Sequence, residues 1–336
     1  MGRQLAVFDR ERLAESALTE YGFGDSVLEF IRHNENLTFK VTDRSTCKSY
    51  LLRIHTPIAG FPKGIGNSVA GIRSEIRIIE AIRQHTDILV QQPHENLQGE
   101  TVTTLHIDSR AEAIRCTVLG WIPGETIDDQ DPELEEKACR IGSLAARLHQ
   151  FSEWWTTTTE FERPTYDSVF LRGMIRRVRQ GVATGLVSER HFRKLEEGAA
   201  FIGTRMEELD TRPGTRGIIH ADLQKSNLVE SENTIAPIDF GLSGHGYFLF
   251  DLGGLMADFG PAAVRDRILE GYNSIRPITE TDLRYVEAFS VQSIIHCMGF
   301  HIQNREMHDW FERRMGPICE DYVQPLIDGK PFYQSI

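Results

Sequence analysis

The chain has 336 residues and a mass of 38.2 kDa, room for about two domains, or one bilobed one, with a large core that needs no disulfide or structural metal. A content of 40% hydrophobic and 26% charged residues excludes disorder and fibrous repeats, and a net charge of −12 excludes a binder of phosphate backbones, which needs a basic stripe. The excess acid is uneven: residues 1–120 carry 14 basic and 15 acidic groups, a net of −1, which leaves 23 and 34, a net of −11, for residues 121–336.

Residues 9–20 read as a short helix with Leu13, Ala14 and Leu18 on one face. Residues 27–32 and 36–42 read as strands joined by the polar turn 33–35, and 49–54 as a third strand followed by a Pro/Gly-rich loop, 56–66. Ile72, Ile76, Ile79 and Ile82 recur at helical spacing, and strands are expected at 88–92, 101–108 and 113–119. Short turns between strands favour antiparallel pairing. Gly and Pro in Leu119-Gly120-Trp121-Ile122-Pro123-Gly124 punctuate the pattern, so a boundary is expected there, dividing the chain into 1–120 and 121–336. Beyond it the pattern is mainly helical, with helices expected at 132–150, 167–182, 188–209, 261–273 and 280–312 and a β-like insert at 217–240. The fold class expected is α+β: a small antiparallel-sheet N-terminal lobe and a larger, mainly helical C-terminal lobe.

The five cysteines, Cys47, Cys116, Cys139, Cys297 and Cys319, are odd in number and form no CxxC, so neither a disulfide framework nor a zinc cluster is indicated. The start of the chain lacks the apolar core of a signal peptide, and Ala6 breaks the myristoylation pattern. No apolar run reaches the length of about 18 residues that a spanning helix needs. A reduced cytoplasm is the expected setting, with neither membrane nor nucleic acid as partner.

The insert carries the chemistry. His220-Ala221-Asp222-Leu223-Gln224-Lys225-Ser226-Asn227 is followed by Asp239-Phe240-Gly241, which fixes Asp222, Asn227 and Asp239 at D-x4-N-x11-D spacing. Apolar runs flank each polar residue, and Asn233 offers a turn between two β-like pieces. A hairpin of that size brings Asn227 and Asp239 together at one end, with Asp222 on the loop just ahead. Two neighbouring oxygen donors suit Mg²⁺, which shares its remaining positions with phosphates and water. A third carboxylate nearby can orient a hydroxyl and take its proton. These are the parts of a phosphoryl-transfer site, where catalysis is mostly positioning and charge neutralisation.

The pattern resembles the catalytic and metal loops of the protein-kinase-like fold, and most closely the aminoglycoside phosphotransferase/choline kinase family. The landmarks Tyr50 to His55, Arg73 to Ile76, Leu119 to Glu125, Leu144 to His149 and Phe250-Asp251-Leu252-Gly253 follow that family's order over most of the chain. The resemblance implies a bilobed kinase fold binding ATP and Mg²⁺ between its lobes. It implies Asp222 as the catalytic base, Asn227 and Asp239 as metal ligands, His220 as a brace of the catalytic loop and Asp251 as its anchor. It also implies that Arg53 stands where the family usually has a phosphate-binding Lys, with Glu75 holding it. Arginine keeps the charge and can grip phosphate bidentately. Leu119 to Trp121 would form the hinge whose backbone meets adenine. The loop 33–38 has no glycines, so Asn36 and Thr38 are left with the work a glycine-rich loop does elsewhere.

Nine residues separate Gly241 from Asp251, too few for a peptide-docking activation segment, which favours a small hydroxyl acceptor over a protein. A Ser/Thr protein kinase and a non-catalytic binding module stand as the other readings. The bland readings are a structural role for His149 and His220, a solvent-facing Lys225 and a flexible linker across Gly241, Gly244 and Gly246. Trp154 and Trp155 could pack or line a pocket for a cation. Seven acids fall in the twelve residues Glu125 to Glu136, either as helix-dipole complementation or as a wall that draws cationic acceptors such as amino alcohols.

Overall fold

Three strands, β1 (Ser26–His33), β2 (Leu37–Asp43) and β3 (Ser49–Ile54), pair antiparallel in sequence order after helix α1 (Val7–Glu20). They belong to a computed structural model that describes residues 7–33, 36–56, 68–106, 113–155 and 161–333. Alternation decides their facing: Leu37, Phe39 and Val41 of β2 are buried together with Leu52 and Ile54 of β3. Leu13, Ala14, Ala17 and Leu18 of α1 close over this cluster, as the helical spacing predicts. Helix α2 (Val69–His85) begins at Ser68, whose hydroxyl accepts the N–H of Gly71, a regular N-cap. Strands β4 (Pro93–His94), β5 (Thr103–Leu105) and β6 (Ile114–Gly120) complete the sheet; β6 pairs with β3 on one side and with β4 and β5 on the other, all antiparallel. These elements form one compact unit that runs to Pro123 and includes Phe161 and Glu162.

The second compact unit runs from Gly124 to Trp155 and resumes at Arg163. It holds β7 (Glu125–Thr126), α3 (Leu134–Trp154), α4 (Ser168–Val178), α5 (Gln180–Ala183), α6 (Glu189–Asp210), β8 (Arg216–Ile219), β9 (Leu228–Ser231), β10 (Thr234–Pro237) and β11 (Gly244–Tyr247). Then come α7 (Phe248–Asp258), α8 (Ala262–Asn273), α9 (Glu280–His301), α10 (His308–Pro317) and α11 (Gln324–Asp328). The mixed α+β architecture with an antiparallel N-terminal sheet is the one expected.

Helices α3 and α8 cross in backbone contact. A Cβ on Gly142 would run into the carbonyl of Ile268, and one on Gly271 into the carbonyl of Cys139, so each helix offers a glycine to the other's main chain. Among the described residues no helix is long and apolar enough to cross a membrane.

Some expectations need correction. No strand forms at 88–92; the pairing comes later, where Pro93 and His94 of β4 face Leu119 and Val118. The helix expected over 280–312 ends at His301, because Asn304 accepts the N–H of Glu306 and starts a new turn. The linker expected at 241–246 contains strand β11, paired with β8 so that Gly244 faces Ile219 and Gly246 faces Gly217. Its glycines serve close packing: a Cβ on Gly244 would strike the carbonyl of Pro164, and one on Gly246 the side chain of Ile219. The turn residues 34–35, nearly all of the loop 56–66 and the end of the strand expected at 101–108 lie outside the described residues.

Candidate active site

The chemistry-bearing residues of the second unit lie on one short stretch of chain. β9 and β10 form a tight hairpin in which Leu228 faces Pro237 and Ser231 faces Thr234, with Glu232 at a positive φ of 55° in the turn. At its open end the N–H of Ile238 donates to the carbonyl of Asn227 at 2.9 Å, which sets Asn227 beside the residue preceding Asp239. Asp239 takes a left-handed conformation, φ 62° and ψ 64°, a geometry that costs a non-glycine residue on the order of 1 kcal/mol or more.

Asp222 lies just ahead, on the loop that leaves β8. Asn227 Nδ2 donates to its carbonyl at 2.9 Å and to its Oδ2 at 2.7 Å, while Gln224 Nε2 donates to its Oδ1 at 3.0 Å. Both carboxylate oxygens are therefore oriented from within the loop. Because the amide nitrogen of Asn227 is committed to Asp222, its Oδ1 is the atom left for a cation. The donor set of this Asn and Asp239 fits Mg²⁺, which takes one or two protein oxygens and fills its octahedron with phosphate and water. Among the described residues no group of three or more His, Cys, Asp or Glu forms an all-protein metal cage, and this two-donor arrangement does not require one.

Asp251, on α7, is buried and holds the loop from behind. Its Oδ2 accepts the N–H of His220 at 2.8 Å, and its Oδ1 accepts that of Ala221 at 2.7 Å. Ala221 has a positive φ of 63°, so the pair of bonds fixes a turn the backbone would not choose alone. His149 of α3 completes the knot, 3.0 Å from Asp251 through Nε2 and 2.9 Å from the Tyr272 hydroxyl through Nδ1. Burial pushes the His149 imidazole below its ordinary range against the pull of Asp251. His220 packs on Phe240 and contacts the carbonyl of Ile238 at 3.0 Å. Neither histidine is placed as a metal ligand; both tie the loop to its scaffold.

Lys225 is neither solvent-facing nor extended. Its Nζ lies 2.6 Å from Asp129 Oδ1 and 2.8 Å from the carbonyl of Asp258, above the ring of Phe259. The acid run is partly neutralised in the same way. Lys137, 5% exposed, contacts Asp131 and sits 2.6 Å from Glu230, which Arg140 also grips at 3.0 Å. Glu125, Asp128, Asp129 and Asp131 line a cavity of about 520 Å³ with Lys225 on its wall. Trp155 stacks on Phe151 at 5.5 Å, a packing contact, while Trp154 is exposed.

The remaining candidates lie in the first unit. Arg53 Nη2 is 2.7 Å from Glu75 Oε1 in an ion pair with both side chains buried. Thr38 faces Arg53 across β2 and β3, and Asn36 precedes it with its Oδ1 buried. Leu119 is packed against Ile72, Ile76 and Val102. The N–H of Gly120 donates to Gln92 and that of Trp121 to Ser49, so two of the backbone donors expected to meet adenine are used within the unit. Lys40 lies over the Trp121 ring at 4.9 Å.

Sequence reasoning missed Gln224, Lys137, Arg163 and Tyr166. Gln224 sits inside the motif, two residues from Asp222, and its position was the signal available. Arg163 and Tyr166 carry no periodic signal; only the tertiary fold brings them to the loop after Asp239.

The phosphotransferase enzyme family matches over residues 27–286, and the chain belongs to that family. It is accordingly a transferase of the kinase type, built on the protein-kinase-like fold. No curated protein matches it by sequence. Among solved structures, a microcompartment-associated aminopropanol kinase superposes with a TM-score of 0.78 at 21% identity, covering 96% of this chain and 99% of that one. An amicoumacin kinase in complex with AMP-PNP and Ca²⁺ gives 0.75 at 18%, with 96% and 95% covered. A choline kinase from Cryptosporidium parvum gives 0.64 at 15%, with 96% and 97% covered. At these identities the likeness is one of fold.

Proposed function

We propose that this protein is an ATP- and Mg²⁺-dependent small-molecule kinase that moves the γ-phosphoryl group to a hydroxyl of an amine-bearing acceptor. The observation that carries the reading is the Asp222 carboxylate, held through both oxygens by Gln224 and Asn227 just ahead of the hairpin that leads to Asp239. In this reading the first unit is the nucleotide lobe and the second the catalytic and acceptor lobe. Asp222 aligns the acceptor hydroxyl and takes its proton as the new O–P bond forms and the bond to the β-phosphate breaks. Asn227 and Asp239 hold the cation, which when bound supplies charge neutralisation to the phosphates. Arg53, kept in place by Glu75, adds a fixed positive charge for the phosphates. His220 and Asp251 keep the loop rigid, so that little reorganisation is left for the reactive step.

Two further features support a small amine. The nine residues between Gly241 and Asp251 are taken up by the turn after Asp239, by β11 and by the start of α7, a poor platform for a peptide. The cavity lined by Glu125, Asp128, Asp129 and Asp131 offers carboxylates to a cation. Aminopropanol and amicoumacin, which name two of the similar structures, are the kind of acceptor meant.

The test is an ADP-release screen with Mg-ATP against amino alcohols, hydroxyl-bearing metabolites and aminoglycoside-type antibiotics. Acceptor-dependent release is expected from at least one amine. Asp222→Asn is expected to lower kcat by about 10²- to 10⁴-fold with nucleotide affinity retained, and Asp239→Ala to weaken Mg-nucleotide binding itself. Near wild-type turnover in Asp222→Asn would remove the base assignment. Autophosphorylation on Ser or Thr without an acceptor would favour a protein kinase, and undetectable nucleotide binding by calorimetry a non-catalytic module.

A further inference from the structure

The four carbonyls that follow Asp239 are all engaged by two side chains that the catalytic motif does not contain. Arg163, 9% exposed, donates through Nε to the carbonyl of Ser243 at 2.5 Å and through Nη2 to those of Phe240 at 3.1 Å and Gly241 at 2.6 Å. Tyr166, 1% exposed, donates its hydroxyl to the carbonyl between them, that of Leu242. The backbone joins in: the N–H of His245 donates to Pro164 at 2.9 Å and that of Tyr166 to His245 at 2.7 Å, with Thr165 and His245 in a parallel bridge. Residues 163–166 thus run as a strap along 240–245.

We propose that Arg163 and Tyr166 are positioning residues that lock 240–243, and through them Asp239, in the conformation that presents its carboxylate to a divalent cation; this rests on the reading of Asp239 as a metal ligand. Asp239 needs such help. Its left-handed backbone is unfavourable for a residue with a Cβ, and its Oδ1 lies so near Gly241 that a Cβ there would approach it to 3.1 Å. Ser243 closes the turn from within, its N–H and hydroxyl donating to the carbonyl of Phe240 at 3.0 and 2.6 Å, and the strap holds it from outside. The guanidinium is the suitable group, because its planar fork donates from separate nitrogens in fixed directions, whereas a lysine offers donors from a single nitrogen. In regulated kinases a phosphate must be added before arginines can order the corresponding segment. Here the arginine donates straight to the main chain, so the order of the loop is built into the fold.

The test uses the full-length protein and reads metal binding rather than turnover: Mn²⁺ titrations followed by electron paramagnetic resonance in the presence of AMP-PNP, with thermal melting alongside. Arg163→Met is expected to weaken Mn²⁺ binding by about tenfold or more, as loss of charge-assisted bonds implies, while metal-free nucleotide affinity stays at the wild-type value. Arg163→Lys should recover part of the loss. Tyr166→Phe, which removes one hydroxyl and leaves the ring in place, should weaken binding by about three- to fivefold. Wild-type Mn²⁺ affinity in the folded variants overturns the proposal. If Arg163→Met does not fold, Arg163→Lys and Tyr166→Phe decide by the same measure. A wild-type protein that binds nucleotide but takes up no Mn²⁺ overturns the metal-ligand reading of Asp239, and this proposal with it.

Discussion

Arg53 and Glu75 place a charge pair where water barely reaches, at 3% and 2% exposure. Removing one partner of such a pair leaves the other charge buried alone, which typically costs about 3–5 kcal/mol. Arg53→Ala should therefore lower stability by roughly that amount in denaturant unfolding, besides raising KM for ATP and lowering kcat. Arg53→Lys, which keeps the charge, should melt nearer wild type, so that its kinetics test the proposed phosphate contact separately from stability. A stability loss under about 1 kcal/mol for Arg53→Ala would show that water or a shifted side chain rescues Glu75. At this scale the sequence was informative wherever spacing encodes geometry. Asp222, Asn227 and Asp239 could be grouped because x11 between Asn and Asp is the length of a two-stranded hairpin. Gln224 could be seen but not assigned, because its bond to Asp222 depends on a side-chain direction that spacing does not specify.

At the scale of elements, α3 is the scaffold of the site. It supplies His149 to the Asp251 knot, and Lys137 and Arg140 to the hairpin through Glu230, with Arg140 also reaching the carbonyl of Asn233 at the turn. Its seat against α8 depends on Gly142 and Gly271, whose missing Cβ atoms let each helix meet the other's carbonyls. Gly142→Ala or Gly271→Ala should push the helices apart and cost about 1–3 kcal/mol, the usual range for overpacking, read as a lowered urea midpoint. An unchanged midpoint would mean that the two helices can slide without loss. Most helices were legible from apolar spacing, as in α1, α2 and α6. The break after His301 was not, because apolar residues continue on both sides of it and a single Asn304 side chain makes the cap. Strand β11 was hidden for the opposite reason: three glycines in six residues read as freedom, whereas two of them are there for close contact.

For the whole molecule, the charge asymmetry takes a definite form. Some of the 34 acids downstream of residue 120 are paired internally with Lys137, Arg140 and Lys225, and some face a cavity. Composition could locate the acid but not its partners, which come from α3 and from the loop that leaves β8. Buried imidazoles set how the molecule responds to acid. Burial pushes His296 down to about 3, among the rings of Tyr166, Phe170 and Phe250, and lowers His149 and His301 as well. An unfolded histidine titrates near 6.5, so below that pH the unfolded chain binds protons that the folded chain refuses. The contribution of His296 is intact above pH 6.5 and falls by about 1.4 kcal/mol per pH unit as the solution is acidified toward pH 3. Urea midpoints should drop between pH 7 and pH 5, and His296→Gln should flatten that slope. A wild-type slope in the variant would show that His296 is not the group responsible.

The placement of β8 and β11 bears on how the site comes into being. Both strand pairs that frame the chemistry close within the chain from Arg216 to Tyr247, and Asp251 follows four residues later. Contacts this local carry a small loop-closure penalty, so the segment can reach most of its geometry before distant parts of the chain have met. The helices and the strap then close on strand pairs already formed. Their contribution is persistence: they turn a locally formed shape into one that endures.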